Sequence, residues 1–226
     1  LENRGSAQCK SSIMLAALNA SGTTSIKAKK SRNHTELLFK YLKIPIKVRK
    51  TKKFDFIDIK KPKKINAFNY QIPGDISSSA FFMVLTTLAD NSKLLIKNVN
   101  INPSRVGVIT ILKKMGAEIY LKNKRNYKGE KISNILIQGS KNLRGINCPS
   151  ELNTSAIDEF LIIFIAAAKA KGISYFKDIS ELNQKESPRL NLGSKILNMM
   201  GVKTELTKNS IKIYGQPNLK ITKQVI

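Results

Sequence analysis

Three times along these 226 residues the same succession recurs, and it leaves few layered folds open to the chain. A run of small polar residues leads into an apolar segment, a glycine or serine stops it, and a β-branched stretch follows. An arginine then opens a second helical pattern, and two strand-like stretches close the pass. The first pass holds a small-residue loop from Gly5, a buried helix over Ile13 to Leu18, Gly22, a strand at Thr23 to Ile26, Ser31-Arg32 opening a second helix, and strands over Ile44 to Val48 and Phe54 to Ile59. The second restarts at Pro73 with Gly74-Asp75-Ile76-Ser77-Ser78-Ser79, runs through Ala80 to Leu85, Leu94 to Ile96, Arg105 and Val108 to Met115, and ends in a hairpin of Ala117 to Leu121 and Ile135 to Ile137 across Lys122 to Asn134. The third begins at Pro149, reaches Arg189 and Gly201, and closes with Val202 to Leu206 and Ile211 to Tyr214 around Lys208-Asn209.

Gly22, Ser92 and Gly172 align at spacings of 70 and 80 residues. That is too long for the usual solenoid repeats and right for a βαβαββ unit, so the fold class is α/β (α+β) built from repeated βαβαββ units. A domain boundary is expected at Ile72 to Asp75, where Pro73-Gly74 breaks the chain after a lysine-rich loop. The chain opens on Leu1 and runs out in Gln224-Val225-Ile226, which reads as an excerpt from a longer protein.

Composition matters chiefly for what it argues against. The formal net charge is +25, which raises a nucleic-acid or anionic-membrane partner. Only seven of the 40 basic residues are arginine, however, and the runs Lys47 to Lys53 and Lys60 to Lys64 read as solvated loop charge, with only Phe54 and Phe56 between them as stacking groups. Two isolated cysteines, Cys9 and Cys148, and a single histidine, His34, give no metal-ligand spacing, and no apolar run is long enough for a membrane helix.

The stretch most loaded with chemistry runs from Pro149 to Arg189. Adjacent acids, Asp158 and Glu159, stand before the apolar run Phe160 to Ala168, and Lys185-Glu186-Ser187-Pro188-Arg189 precedes the helical pattern Leu190 to Met200. An acid in a first turn is stabilised by the helix dipole, which is a sufficient structural reading of Asp158. A cation there opposes the dipole, so helix stability accounts poorly for Arg189, whereas an anion held between a helix N-terminus and the arginine accounts for it well. Arg105 has no acid or lysine beside it in the sequence and reads as structural, pairing with loop carbonyls.

Six motifs in one order make the chain resemble the 5-enolpyruvylshikimate-3-phosphate synthase family, also called 3-phosphoshikimate 1-carboxyvinyltransferases. They are Ser6-Ala7-Gln8-Cys9-Lys10-Ser11, Ser31-Arg32-Asn33-His34-Thr35-Glu36, Pro73-Gly74-Asp75-Ile76-Ser77-Ser78, Lys114-Met115-Gly116-Ala117, Ile157-Asp158-Glu159 and Lys185-Glu186-Ser187-Pro188-Arg189. The resemblance implies a two-domain inside-out α/β barrel of βαβαββ units, incomplete at both ends here. Residues 1–72 would be the C-terminal part of the interrupting domain and 73–226 most of the second, with two units. It implies transfer of the enolpyruvyl group of phosphoenolpyruvate to the 5-hydroxyl of shikimate 3-phosphate, a step of chorismate and aromatic amino acid biosynthesis in the cytoplasm. Neither metal nor organic cofactor is implied, nor a nucleic-acid or membrane partner, and the full-length enzyme would be a monomer.

Carried over by motif, Ser6, Ala7 (through its backbone), Gln8 and Arg32 resemble ligands of shikimate 3-phosphate, with Gln8 also near phosphoenolpyruvate. Asp158 resembles the general base for the 5-hydroxyl and a ligand of the shikimate hydroxyls, with Lys185 beside it on that substrate. Glu186 resembles a group in proton transfer at the phosphoenolpyruvate methylene, and Arg189 a phosphoenolpyruvate-binding arginine. Pro188 departs from the family's Arg-Val-Lys-Glu-Ser-Asp-Arg pattern, removing an acid and an N–H just before Arg189. The family's other phosphate-binding segments lie outside the 226 residues, so this chain alone is expected to have no turnover. The alternatives are the sister transferase acting on UDP-N-acetylglucosamine and an RNA-binding or RNA-end-processing protein of similar fold. The latter would need a histidine nucleophile or clustered arginines and aromatics.

Overall fold

A computed structural model of the chain describes residues 1–3, 5–140, 142–184 and 186–219. The chain divides into two compact units. The first comprises Leu1–Ile72 with Arg125–Ile132, and the second Pro73–Lys124 with Ser133–Ile226.

In the first unit, α1 (Ala7–Ala16) precedes β1 (Thr23–Lys29), α2 (His34–Tyr41), β2 (Ile46–Lys50) and β3 (Phe54–Lys60). The sheet order is β1-β3-β2, antiparallel throughout, with Ile26 and Val48 both opposite Ile57. Side chains alternate across the strands, so Ile26, Ala28, Ile57 and Ile59 point to one face, where Met14, Ala17 and Phe39 pack on them.

Two expectations fail here. The first helix starts at Ala7, six residues before the apolar run, and buries little besides Lys10 and Met14, while Leu15 stays 55% exposed. The cause is Ser6, whose hydroxyl accepts from the Cys9 N–H and caps the helix there. The basic run from Lys47 is not all loop, because Lys47 to Lys50 lie in β2. Ile46 and Val48 alternate inward between outward cations as the strand expected over Ile44 to Val48 requires, and the strand continues through Arg49 and Lys50, which read as loop charge. The rings of Phe54 and Phe56 are already occupied, with the Lys27 ammonium 4.8 Å from the Phe54 centroid and the Arg49 guanidinium 4.2 Å from that of Phe56.

The second unit repeats this succession twice. α3 (Ile76–Leu88), β4 (Lys93–Asn100), α4 (Gly107–Lys114), β5 (Glu118–Tyr127) and β6 (Glu130–Gln138) give a sheet of order β4-β6-β5. A short α5 (Asn153–Ala156), α6 (Phe160–Lys169), β7 (Gly172–Lys177), α7 (Arg189–Met199), β8 (Thr204–Leu206) and β9 (Ser210–Gly215) give β7-β9-β8. In all three passes the closing strand lies between the other two. The leading strand of each βαβαββ unit is reduced to isolated parallel bridges, Glu2 to Ala28, Gly74 to Val99, and Asn147 to Tyr175.

The expected loop from Lys122 to Asn134 is mostly strand, because the chain reverses at Lys128 and Gly129, both at positive φ, a conformation glycine adopts without strain. The core of the second unit centres on α6, whose Phe160 and Phe164 pack with Phe176 at centroid separations of 5.3 to 5.9 Å.

Candidate active site

In the second unit the chemistry gathers where helices begin. Asp75 caps α3, its carboxylate accepting from the Ser78 N–H at 2.8 Å, and Ser77 sits in the first turn. Arg105 stands just before α4, Asp158 and Glu159 lie between α5 and α6, and Arg189 is the first residue of α7. Free backbone N–H groups make such helix starts favourable ground for anions.

Two arginines and four acids sort themselves into two adjoining groups. Arg189 Nη1 lies 3.5 Å from Asp158 Oδ1 and its Nη2 3.0 Å from Glu186 Oε2. Arg105 Nη2 lies 3.3 Å from Asp75 Oδ1 and 3.7 Å from Glu159 Oε1, and it also donates to the Ser77 hydroxyl, which donates to Glu159. Arg105 is therefore paired with carboxylates rather than with loop carbonyls, which corrects the sequence reading. Its acids stand beside it only in space, since Asp75 is 30 residues away.

Burial separates the groups. Glu159 is 3% exposed, and burial pushes its carboxyl up, against the pull of the Ser77 hydrogen bond and Arg105. Burial also pushes on Asp75, but hydrogen bonds from Ser78 and the charge of Arg105 outweigh it and hold that carboxyl below the ordinary value. The Asp158 and Arg189 side chains keep roughly a quarter of their surface open, and Glu186 is exposed. Asp158 is thus a half-exposed carboxylate against a guanidinium, able to accept a proton from an incoming hydroxyl. Arg189 offers the fork that meets phosphate or carboxylate bidentately.

Pro188 precedes Arg189 without an N–H of its own, yet α7 does not begin uncapped. Asn183 Oδ1 accepts from the N–H groups of Leu190 and Asn191 at 3.1 and 3.2 Å. Lys185, expected beside Asp158, lies outside the described residues. Among the described residues no group of three or more His, Cys, Asp or Glu could hold a metal ion.

The remaining predicted residues belong to the first unit. Ser6 and Ala7 are half-buried at the start of α1, Gln8 is exposed in its first turn, and Arg32 is half-buried just before α2. The two helix starts are tied together by Lys10, fully buried, whose ammonium donates to the Arg32 carbonyl at 2.8 Å and sits 2.6 Å from Glu36 Oε1. Beside Arg32, the Ser31 hydroxyl is buried with no hydrogen-bond partner among the described residues. A buried hydroxyl without a partner is uncommon, and here it lies next to an arginine at a helix start. Sequence reasoning passed over Ser31, although its place in Ser31-Arg32 was a signal.

With this geometry in hand, comparison with known proteins decides the family. A family model for EPSP synthase (3-phosphoshikimate 1-carboxyvinyltransferase) matches residues 3–224. The chain belongs to the EPSP synthase family. It is 45% identical over 211 residues to the 3-phosphoshikimate 1-carboxyvinyltransferase of Ruthia magnifica subsp. Calyptogena magnifica, covering 93% of this chain and 47% of that protein. To that of Thermoanaerobacter sp. (strain X514) it is 42% identical over 216 residues, covering 95% and 50%. Among solved structures, EPSP synthase from Acinetobacter baumannii matches with a TM-score of 0.85 at 40% identity, over 93% of this chain and 47% of that one. The enolpyruvyl transferase NikO from Streptomyces tendae, at 14% identity and a TM-score of 0.60, shares the fold. The chain spans about half the length of the curated relatives it matches.

Three residues to which the motif comparison gave no catalytic or binding role, Ser77, Arg105 and Glu159, form the group beside Asp158. Gly107 is the first residue of α4, where an added Cβ would sit 2.5 Å from Ser155 Oγ and 2.8 Å from the Ala156 backbone nitrogen. Only a glycine lets α4 approach the short helix that carries the chain into Asp158.

Proposed function

We propose that the protein to which this chain belongs transfers the enolpyruvyl group of phosphoenolpyruvate to the 5-hydroxyl of shikimate 3-phosphate and releases phosphate. The observation that carries the reading is the meeting of Asp158, Glu186 and Arg189 at the start of α7, in a chain of this family. Asp158 takes the 5-hydroxyl proton as the oxygen bonds to C2 of phosphoenolpyruvate, and the methylene carbon gains a proton. Loss of a proton from that carbon and departure of phosphate then restore the double bond. Glu186 serves the proton transfers at the methylene, and Arg189 holds phosphoenolpyruvate. A positioned base contributes about 10²- to 10⁴-fold to such a step. No electrons change hands, so the reaction needs no redox cofactor.

Ser6, Ala7, Gln8, Arg32 and Lys185 are assigned to shikimate 3-phosphate, with Gln8 also near phosphoenolpyruvate. Residues 1–72 belong to one domain and 73–226 to most of another. The exposed Phe81, Phe82 and Leu85 of α3 support that division, since a further unit of the same domain would cover them. No helix among the described residues is long and apolar enough to cross a membrane, and the enzyme is assigned to the cytoplasm as a monomer without a nucleic-acid partner. The isolated 226-residue chain is expected to be inactive.

The test is phosphate release by the full-length protein. Release should require both phosphoenolpyruvate and shikimate 3-phosphate, and UDP-N-acetylglucosamine should not replace the latter. Release with the sugar nucleotide alone as acceptor would overturn the assignment.

A further inference from the structure

We propose that Ser77, Arg105 and Glu159 form a clamp that positions Asp158, so that these three residues act on the reaction through Asp158 without touching substrate. The inference rests on the assignment of Asp158 as the base.

The clamp joins three helix starts. Ser77 comes from the first turn of α3, Arg105 from the residues before α4, and Glu159 from the residue before α6. Glu159 turns inward at 3% exposure, and its backbone carbonyl accepts from the Ile163 N–H at 3.0 Å as α6 begins. Its neighbour Asp158 instead lies 3.5 Å from Arg189. Successive side chains in such a turn diverge, so fixing the Glu159 carboxylate fixes the aim of Asp158.

The clamp also keeps charges sorted. An unpartnered Glu159 beside Asp158 would compete with it for Arg189. Arg105 holds Glu159 at 3.7 Å, which leaves Arg189 to Asp158 and Glu186. Stability alone does not call for this arrangement, because a buried ion pair gains little over apolar side chains of similar volume. Orientation does call for it, since misplacing a reacting group by about 1 Å costs on the order of 10²-fold in rate.

The experiment is a set of double-mutant cycles on the full-length protein, reading kcat, the KM of each substrate and the thermal midpoint. Glu159→Gln and Ser77→Ala should each lower kcat tenfold or more, with the KM for phosphoenolpyruvate within twofold, and Arg105→Lys should recover part of the loss seen in Arg105→Gln. In an Asp158→Asn background the same changes should alter the residual rate less than twofold, because the group they aim has gone. If Glu159→Gln does not fold, Ser77→Ala carries the test alone. Undiminished kcat in the folded variants, or an equal loss in the Asp158→Asn background, would overturn the clamp. Near-normal kcat in Asp158→Asn by itself would instead remove the assignment of the base.

Discussion

Arg189 reaches Asp158 through Nη1 at 3.5 Å while its other terminal nitrogen holds Glu186 at 3.0 Å, so one guanidinium bridges the two acids assigned to proton transfer. A substrate anion that takes the same two terminal nitrogens competes with these acids. Binding and the release of the acids are thereby coupled, and both depend on the arginine fork.

Arg189→Ala should therefore raise the Kd for phosphoenolpyruvate. One lost charge-assisted hydrogen bond is worth about 1.5–3 kcal/mol, or roughly 10- to 100-fold. Arg189→Lys should recover only part of this, because a point charge cannot make the bidentate contact. Calorimetric titration of the full-length protein would check it, and a Kd unchanged in both variants would remove Arg189 from the phosphoenolpyruvate site.

Asn183 is expected to hold α7 in place of the residue at 188. Asn183→Ala should cost about 1 kcal/mol in urea unfolding, the usual value of an N-terminal cap, and should raise the KM for phosphoenolpyruvate by loosening Arg189. Adding Pro188→Asp to that variant should restore both, because an acid there can cap the helix locally. A variant that unfolds at the wild-type urea concentration would show that Asn183 contributes no cap.

Gly107→Ala should destabilise the fold by about 1–3 kcal/mol, the usual cost of forcing a methyl into a packed contact. The added carbon meets Ser155 and Ala156 of α5, and Ala156 is two residues short of Asp158, so kcat should fall as well. Wild-type stability with wild-type kcat would mean that α4 and α5 do not approach as closely as described.

The two cysteines should differ in reactivity. Cys9 is exposed, whereas burial is the largest influence on the Cys148 thiol and pushes it from 9.0 up to about 11. Iodoacetamide at pH 8 should modify Cys9 alone in the native protein and both after unfolding. The raised value means that the folded state holds this proton more tightly than the unfolded one. The associated stability is full below pH 9 and is lost as pH rises through about 11. Equal labelling of both thiols under native conditions would contradict the buried setting.

The threefold order was legible because each unit carries its own local signals. Pro73-Gly74, Gly116, Gly201 and the alternation of β3 and β9 are all short-range features. Asp158 and Arg189 could be singled out because each sits at a helix start, where charge has a known preference. What could not be read depended on distance along the chain. Arg105 finds Ser77 28 residues back, and Ser77 meets Glu159 82 residues on, so only the packing of α3, α4 and α6 reveals that group. The start of α1 was missed for a local reason, because the cap Ser6 is hidden in a run of small residues and the helix after it presents little apolar face. The strand expected over Ile44 to Val48 was legible in the alternation of Ile46 and Val48, and only its extension through Arg49 and Lys50 was hidden, because exposed cations read as loop charge.

The central claim is that a half-exposed carboxylate between α5 and α6 removes the proton from the acceptor hydroxyl. The most direct measurement is kcat for Asp158→Ala in the full-length protein, with phosphoenolpyruvate and shikimate 3-phosphate saturating. The expected result is a loss of at least about 10²-fold with an unchanged thermal midpoint. A folded variant turning over within a few-fold of wild type would contradict the account.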